Sequence, residues 1–264
     1  MLNKIVDQTR QAVALAKQTK PLATIGNTLI AGSFALSAAI IEQDWSLIAE
    51  CKLASPAKGA LCSTHTVLEL AKIFADNGAT ALSVHTNAVF RGSVDDIAKV
   101  KQVINLPVLC KEFIIDEYQL YAARAAGADA VLLIATILSD TELSRFIRIA
   151  TDLGMDALVE VHTLPELNRV QQTEAKLVGV NNRDLQTFTT SIEQTFQLLP
   201  QCKAGRLIIS ESGIKTGQDA LRLRNAGVKG ILVGEGLVTA GDIAAKTYEL
   251  ALSGINGDLL QVGF

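Results

Sequence analysis

The sequence repeats one short pattern in which a helical stretch ends at a glycine and an apolar run begins soon after it. The pattern occurs at residues 77–84, 126–133, 153–160 and 226–233. A glycine just past a helix end adopts the left-handed conformation without a Cβ clash, and an unbroken apolar run is typical of a parallel strand covered on both faces. The repeat therefore predicts helices that alternate with buried parallel strands.

Along the whole chain this pattern predicts eight strands, each followed by a helix. The strands are expected near 46–52, 80–85, 107–111, 130–135, 157–161, 176–181, 206–211 and 230–234. The helices are expected near 65–77, 94–104, 117–126, 140–153, 164–173, 191–199, 216–226 and 241–252. Eight such units predict an α/β protein with a (β/α)8 TIM barrel. An open doubly wound sheet is the alternative, but no G-x-G-x-x-G motif follows the first strand.

Residues 1–45 precede the repeat and are expected to form an N-terminal helical extension. Residues 7–20 have a helical pattern, and a second apolar segment covers 28–42. We expect this extension to cover the lower face of the barrel or to lie beside its mouth. Because no Pro- or Ser-rich linker follows it, the chain is interpreted as one domain, with the barrel at 46–252 and a C-terminal tail at 253–264.

Charge and composition narrow the class of protein. The net charge of −3 offers no broad basic surface for nucleic acid or an anionic membrane. The first ten residues do not resemble a signal peptide, and the apolar stretch 22–41 is interrupted by Asn27 and Ser33. The four cysteines form no CxxC pair and no zinc spacing, which is typical of reduced thiols. We therefore expect a cytoplasmic protein.

Several of the apolar runs end in a charged or amide residue. A strand buried on both faces has no structural need for such a side chain, so the repetition predicts one shared site at the C-terminal mouth of the barrel. Glu50 and Lys52 are two residues apart and face the same side, while Cys51 faces the other. An ion pair at a strand end is the alternative interpretation. The corresponding residues of later strands are Lys111, Glu160, Asn181 and Glu211.

Two ammonium groups, those of Lys52 and Lys111, are expected to face this mouth. They would lower each other's proton affinity, which favours a general acid or an anion clamp. Glu160 is the candidate for proton transfer. His162, two residues further, is expected on the loop and outside the mechanism, as are Cys51 and Cys110, which are assigned to packing.

The loops at the strand ends supply candidate binding residues. Ser55 and Lys58 lie on a loop that could close over an anion. Phe113 offers a flat wall for an aromatic substrate, or is a plain core residue. Arg183 could pair with an anion or with Asp184. The loops after strands seven and eight are where such barrels often bind phosphate; their candidates are Ser212, Gly213, Gly234 and Glu235.

Six separate motifs in this order resemble the indole-3-glycerol phosphate synthase family. They lie at 48–52, 54–59, 111–116, 158–162, 180–185 and 210–214. The resemblance covers residues 45–250 and implies a carboxy-lyase of tryptophan biosynthesis that closes the indole ring. Its substrate would be 1-(2-carboxyphenylamino)-1-deoxyribulose 5-phosphate, and its products indole-3-glycerol phosphate, CO2 and water, with no metal or organic cofactor.

The resemblance also implies roles for individual residues. Lys111 would be the acid for ring closure, and Glu160 would stabilise charge on the anilino nitrogen and shuttle protons. Asn181 and Glu211 would position the ribulose hydroxyls and the lysines.

The other implied roles concern anion binding and dehydration. Lys52 would bind an anionic group and act as the dehydration acid, with Glu50 as the base. The residues implied around the phosphate and carboxylate groups are Ser55, Ser212, Gly213, Gly234 and Glu235, the last two through backbone N–H groups. The expected partner is this small anionic aromatic sugar phosphate. We expect a monomer or weak homodimer, with another pathway enzyme as the candidate protein partner.

The chain departs from the family pattern in two places. Residues 85–93 begin with His85, Thr86 and Asn87, where a Leu-Thr-Asp-like turn is common, and Gly236 replaces a common Ser or Ala. We expect these changes to touch the aromatic side of the substrate and the phosphate rim, not the proton-transfer set. They leave open a specialised paralogue that acts on a modified anthranilate in a secondary indole pathway.

Two further hypotheses are considered. One is a catalytically silent barrel that serves as a binding partner. The other is phosphoribosylanthranilate isomerase, whose chemistry resembles a Cys/Asp acid–base pair at strand ends. Cys51 is expected to face away from the mouth, and strand four ends at 134–136 without an Asp, so the isomerase is disfavoured.

Overall fold

The computed structural model describes residues 2–26, 29–184, 187 and 189–253, and contains a closed barrel of eight parallel strands. The first strand pairs with the eighth, Ser46 opposite Gly230, and with the second, Glu50 opposite Ser83, which closes the sheet. In chain order the strands are Ser46–Cys51, Ala81–His85, Val108–Lys111, Ala130–Ile134, Asp156–Val161, Leu177–Asn181, Leu207–Glu211 and Gly230–Val233. The prediction of a (β/α)8 barrel is confirmed.

A helix follows each barrel strand, as predicted. These helices are Val67–Asp76, Val94–Lys101, Glu117–Ala125, Asp140–Asp152, Leu164–Val170, Glu193–Leu198, Gly217–Asn225 and Ile243–Leu250. The side chains of Ser139 and Thr216 cap two of them by accepting hydrogen bonds from the backbone three residues later. Some short elements were not predicted, among them the helix Leu22–Gly26, the hairpin of Ala54–Ser55 with Gly59–Ala60, and the helix Glu235–Val238.

The N-terminal extension contacts both the lower face of the barrel and the edge of its mouth. Leu36 and Ile40, on the helix Ala35–Ile41, are fully buried against apolar residues of the barrel interior. The helix Leu2–Thr19 lies beside the mouth, where Lys17 Nζ is 2.7 Å from Asp116 Oδ2 after the third strand. Thr9 Oγ1 also accepts a hydrogen bond of 3.2 Å from Asn87 Nδ2 after the second strand. The extension therefore covers the lower face with one helix and lies beside the mouth with another, which were the two expected places. Most of the predicted tail, 254–264, lies outside the described residues.

Alternation along each strand separates the barrel interior from the layer between strands and helices. Ile48 and Leu109 belong to the interior cluster, whereas Cys51 and Cys110 belong to the outer apolar layer. Glu50, two residues after Ile48, therefore faces the interior. The predicted orientations of Glu50 and Cys51 are confirmed. No helix in the described part of the chain is long and apolar enough to cross a membrane.

Candidate active site

Glu50 and Lys52 form an ion pair at the end of the first strand. Lys52 Nζ lies 3.3 Å from Glu50 Oε1, and the Glu50 side chain is 4% exposed. The neighbouring eighth strand makes room for the carboxylate, because a Cβ on Gly234 would lie 2.3 Å from Glu50 Oε1. Burial alone would raise the pKa of Glu50, but Lys52 and then His85 outweigh it and hold the pKa well below its usual range. Glu50 is therefore an ionised carboxylate.

Lys111 lies between two carboxylates from other strands. Its Nζ is 2.7 Å from Glu211 Oε2 and 3.5 Å from Glu160 Oε2. Glu211 fits because the sixth strand carries Gly179, where a Cβ would lie 2.1 Å from Glu211 Oε1. Burial would lower the pKa of Lys111, but Glu211, Glu160 and Glu50 outweigh it and raise the pKa. The expectation of a lowered proton affinity for Lys111 is wrong, because the two carboxylates in contact with it and the charge of Glu50 together raise its pKa.

The two carboxylates beside Lys111 differ in their protonation. Burial, together with the charge of Glu160, raises the pKa of Glu211 to about 7, although Lys111 opposes the shift. Burial would also raise the pKa of Glu160, but Lys111 and His162 lower it. Like charges this close do not both ionise freely. The pair therefore takes up one proton near neutral pH, and Glu160 is the member that stays ionised.

His162 lies closer to the charged cluster than its sequence position suggests. It follows the fifth strand directly, but its ring is buried, with Nε2 3.4 Å from Glu160 Oε1 and Nδ1 3.6 Å from Glu166 Oε2. Burial would lower its pKa, but the hydrogen bond to Glu166 and the charge of Glu160 raise it. His162 lies just past the strand, as expected, but its contact with Glu160 places it within the charged cluster. Its place outside the mechanism stays a prediction.

His85 also contacts the proton-transfer set. Its Nε2 lies 3.2 Å from Glu50 Oε1, and its ring stacks on Phe90 with centroids 4.2 Å apart. The expectation that the departures at residues 85–93 would leave this set untouched is therefore wrong. The sequence pattern that identified Glu50 and Lys111 also applies to His85, because His85 too is a polar residue at the end of an apolar strand.

Aromatic side chains form one wall of the mouth. The rings of Phe90 and Phe113 are 6.2 Å apart between centroids, and Lys52 Nζ lies 5.6 Å from the Phe90 centroid. Phe113 is half-buried, so part of its ring can meet a ligand. Phe90 was absent from the predicted site residues. Its helical turn is held by Asn87, whose side chain accepts a hydrogen bond from Val89 N.

The loop after the first strand contacts the loop after the neighbouring eighth strand. Ser55 Oγ accepts a hydrogen bond of 3.1 Å from Lys58 N, and Lys58 Nζ donates to the Glu235 carboxylate. Arg183 Nη2 lies 3.9 Å from the other oxygen of Glu235. Glu235 was expected to act through its backbone; its side chain also joins two exposed or half-exposed cations.

The turn after the seventh strand has a strained backbone. Ser212 has φ +64° and Gly213 has φ +80°. A non-glycine residue in the left-handed region persists only where its surroundings impose it. Asn182 does so: its Nδ2 donates to Ser212 O at 2.9 Å, and its own position is fixed by Thr195 Oγ1, which donates to Asn182 Oδ1. Asn182 was not among the predicted site residues.

Asn181 completes the set of predicted catalytic positions. It lies in register with Glu211 on the neighbouring strand, and its Oδ1 accepts a hydrogen bond of 3.1 Å from Arg183 N. The mouth therefore brings together all six strand-end residues. Within the described ranges, no group of three or more His, Cys, Asp or Glu side chains could hold a metal ion.

Comparisons with known proteins agree on one family. The model of the family described as indole-3-glycerol phosphate synthase matches residues 2–250. A protein of that name from Desulforamulus reducens is 51% identical over 215 residues, which cover 81% of each chain. Another from Albidiferax ferrireducens is 42% identical over 257 residues, which cover 95% of this chain and 97% of the relative.

Solved structures agree on the fold alone, because their sequences are distant. A 3-hexulose-6-phosphate synthase aligns with a TM-score of 0.65 at 18% identity, covering 78% of this chain and 98% of the other. Thiamine phosphate pyrophosphorylase from Pyrococcus furiosus aligns with a TM-score of 0.59 at 16% identity, covering 80% and 95%. With a family model that matches nearly the whole chain and relatives above 40% identity, this chain belongs to the indole-3-glycerol phosphate synthase family.

Proposed function

We propose that the charged mouth performs the reaction of this family with defined roles for its six strand-end residues. The family reaction is carried out by a carboxy-lyase of tryptophan biosynthesis. It converts 1-(2-carboxyphenylamino)-1-deoxyribulose 5-phosphate to indole-3-glycerol phosphate by ring closure, decarboxylation and dehydration. The observation that carries the proposal is the position of Lys111 between Glu160 and Glu211, beside the separate pair of Lys52 and Glu50.

Ring closure needs a proton donor at the ribulose carbonyl while the aromatic carbon attacks it. Lys111 supplies this proton, because the surrounding carboxylates keep its ammonium group protonated at neutral pH. Positive charge then develops on the anilino nitrogen, and the ionised Glu160 stabilises it. Asn181 and Glu211 orient the ribulose hydroxyls and Lys111.

Decarboxylation and dehydration complete the aromatic product. The bond to the carboxylate breaks, CO2 leaves, and its electron pair restores the benzene ring. Lys52 then protonates the departing hydroxyl as water, and Glu50 removes a proton from the carbon next to nitrogen. Their separation of 3.3 Å lets Glu50 pass a proton back to Lys52 between turnovers.

The substrate has an anionic end and an aromatic end, and the mouth has a matching surface for each. Lys58 and Arg183 both contact Glu235 at the start of the helix Glu235–Val238. Asn182, next to Arg183, contacts the turn of Ser212 and Gly213. We assign the phosphate to this side, with Ser55, Gly234 and Glu235 around it. The aromatic ring would meet Phe113, and the substrate carboxylate would meet Lys52.

The proposal is tested by giving the purified protein the carboxyphenylamino-ribulose phosphate and following indole fluorescence. We expect fluorescence to rise without added metal or cofactor. A well-folded protein that binds the substrate without turnover would instead be the silent barrel. A parallel assay with ring-substituted substrates tests the specialised paralogue: a higher kcat/KM for a substituted ring would identify it.

We further propose a cytoplasmic monomer or weak homodimer. The four free cysteines support the reducing compartment of this assignment. Sedimentation velocity between low and high micromolar concentration tests the oligomeric state, and a stable dimer at the low end would contradict it. Co-sedimentation with other enzymes of tryptophan biosynthesis tests for a pathway partner.

A further inference from the structure

His85 projects into the barrel mouth from the second strand. Glu50 lies in register with Ser83, so His85, two residues further along, faces the same interior side one layer nearer the opening. The His85 side chain is 6% exposed, and its Nε2 lies 3.2 Å from Glu50 Oε1. That same oxygen lies 3.3 Å from Lys52 Nζ. One carboxylate oxygen therefore has an imidazole on one side and an ammonium group on the other.

The flat face of the same imidazole supports the aromatic wall. His85 and Phe90 stack with an interplanar angle of 4°, and Phe90 in turn lies beside Phe113. Stacked ring contacts of this kind stabilise the packing beyond the area that they bury. His85 therefore touches the candidate base with its edge and the aromatic wall with its face.

The charge state of His85 suits this double contact. Burial lowers the pKa of His85, and Lys52 and Lys111 lower it further, although Glu50 opposes them. The ring is then neutral at pH 7, and Nε2 must carry the proton if it is to face the Glu50 carboxylate. In the described part of the chain, the contact falls short of hydrogen-bond geometry. Such contacts commonly tighten when substrate binds.

We propose that His85 is a positioning residue, which holds the Glu50 carboxylate toward the reacting atoms and the Phe90 ring against the aromatic end of the substrate. The inference rests on the proposed role of Glu50 and deepens it. It assigns a function to a position where the family commonly has Leu, a side chain that fills the space but cannot contact a carboxylate through a polar atom.

The first test is a pair of substitutions that separate the polar contact of His85 with Glu50 from the space that its side chain fills. His85→Leu keeps an apolar side chain, and His85→Gln keeps an N–H donor without a ring or a titration. For His85→Leu we expect kcat to fall about tenfold while KM changes less than about threefold, because a misplaced base slows chemistry more than binding. For His85→Gln we expect kcat to recover to within about threefold of the native value.

The pH profile distinguishes this role from a structural one. Glu50 is faced by Lys52 on its own strand, His85 on the second, Lys111 on the third and Glu211 on the seventh. Removing His85 removes one influence that lowers the Glu50 pKa, so the Glu50 carboxyl should titrate at higher pH in His85→Leu. A ¹³C NMR titration of that carboxyl measures this directly.

Control variants separate the inference about His85 from the proposed role of Glu50. His65 lies outside the mouth beside Thr64, so His65→Leu and His65→Gln should leave kcat and the Glu50 titration unchanged. Circular dichroism and thermal melting confirm that each variant is folded. A Glu50 titration that is the same in His85→Leu and the native protein would overturn the inference. Undiminished turnover in Glu50→Gln would instead overturn the proposed role of Glu50, whatever the titration shows.

The proposed role of His85 in holding the Phe90 ring has its own test. Phe90→Leu removes the stacked ring but leaves the contact between His85 and Glu50. We expect KM for the aromatic substrate to rise several-fold, by about the 0.5–1.5 kcal/mol of a ring pair, while the Glu50 titration stays in place. An unchanged KM would overturn the assignment of Phe90 and His85 to the aromatic wall.

Discussion

Lys111 Nζ lies 2.7 Å from Glu211 Oε2, a contact between residues one hundred positions apart that joins the third and seventh strands across the barrel mouth. Glu160 approaches the same ammonium group at 3.5 Å. Two carboxylates therefore surround one cation in a buried site. The surplus of negative charge keeps Lys111 protonated and leaves the carboxylate pair with a proton to share near neutral pH.

Replacing Lys111 with Ala should remove the acid for ring closure. We expect kcat to fall by about 10²–10⁴-fold, the usual contribution of a positioned general acid, while substrate binding stays within several-fold of native. Single-turnover fluorescence measures the chemistry, and equilibrium titration measures the binding. Lys101→Ala is the matched control, because it removes a Lys–Asp pair, Nζ to Asp129 Oδ2 at 2.8 Å, at the opposite end of the barrel. Undiminished turnover in Lys111→Ala would refute its role.

The pair of Glu160 and Glu211 should give kcat an acidic limb. Because the pKa of Glu211 is raised to about 7, the pair gains a proton as pH falls through neutrality, and kcat should fall with it. In Glu211→Gln the like charge beside Glu160 is gone, so the acidic limb of kcat should move to lower pH. The maximal kcat should also be lower, because an amide holds Lys111 less firmly than a carboxylate does. The measurement is kcat from pH 5.5 to 9. Glu193→Gln, which loses a surface partner of Arg222, is the control. An acidic limb that stays near pH 7 in Glu211→Gln would contradict the assignment of this limb to the Glu160–Glu211 pair.

Gly179 is expected to be intolerant of any side chain because of Glu211. A Cβ at Gly179 would lie 2.1 Å from Glu211 Oε1, so Gly179→Ala must push the carboxylate away from Lys111. We expect kcat to fall about 10²-fold, since a displacement near 1 Å has that effect on positioned groups. Gly241→Ala is the control, because a Cβ there meets nothing within 4 Å among the described residues. Equal kcat values for the two variants would show that Glu211 does not need its present position.

Alternation along single strands was enough to predict which side chains face the mouth. The period of two places Glu50 with Ile48 inside and Cys51 outside, and this needs no knowledge of any other strand. The contact of His85 with Glu50 could not be obtained in this way. It depends on the register between two strands more than thirty residues apart, which neither strand encodes alone.

The electrostatics were the least predictable part of the site. The presence of two lysines predicted that Lys52 would lower the proton affinity of Lys111. The nearer and more numerous carboxylates instead raise the pKa of Lys111. The helix Glu235–Val238 was missed because four residues are too few to display a helical period. The Lys111 pKa and the short helix were both mispredicted for the same reason. Distances between side chains of different strands, and turns of a few residues, are defined only in the folded barrel.

His162 should contribute a pH-dependent part of the stability. Its folded-state pKa is raised above 6.5, chiefly by Glu166 and Glu160 acting against burial. A raised pKa means that the folded chain binds the proton more tightly, so this stabilisation is complete below pH 6.5 and is lost as pH rises through the folded pKa.

His162→Asn should therefore be destabilised more at pH 5.5 than at pH 9, by about 1.5–3 kcal/mol at the lower pH, the range for a hydrogen bond to a charged group. Glu166 stays ionised throughout this window, because its pKa is lowered to about 2, although burial opposes the effect of His162. Urea unfolding at the two pH values measures the difference, and His65→Asn, on a half-buried histidine away from the carboxylates of the mouth, is the control. A loss of stability that is the same at both pH values would show that the His162 ring acts through packing and not through its charge.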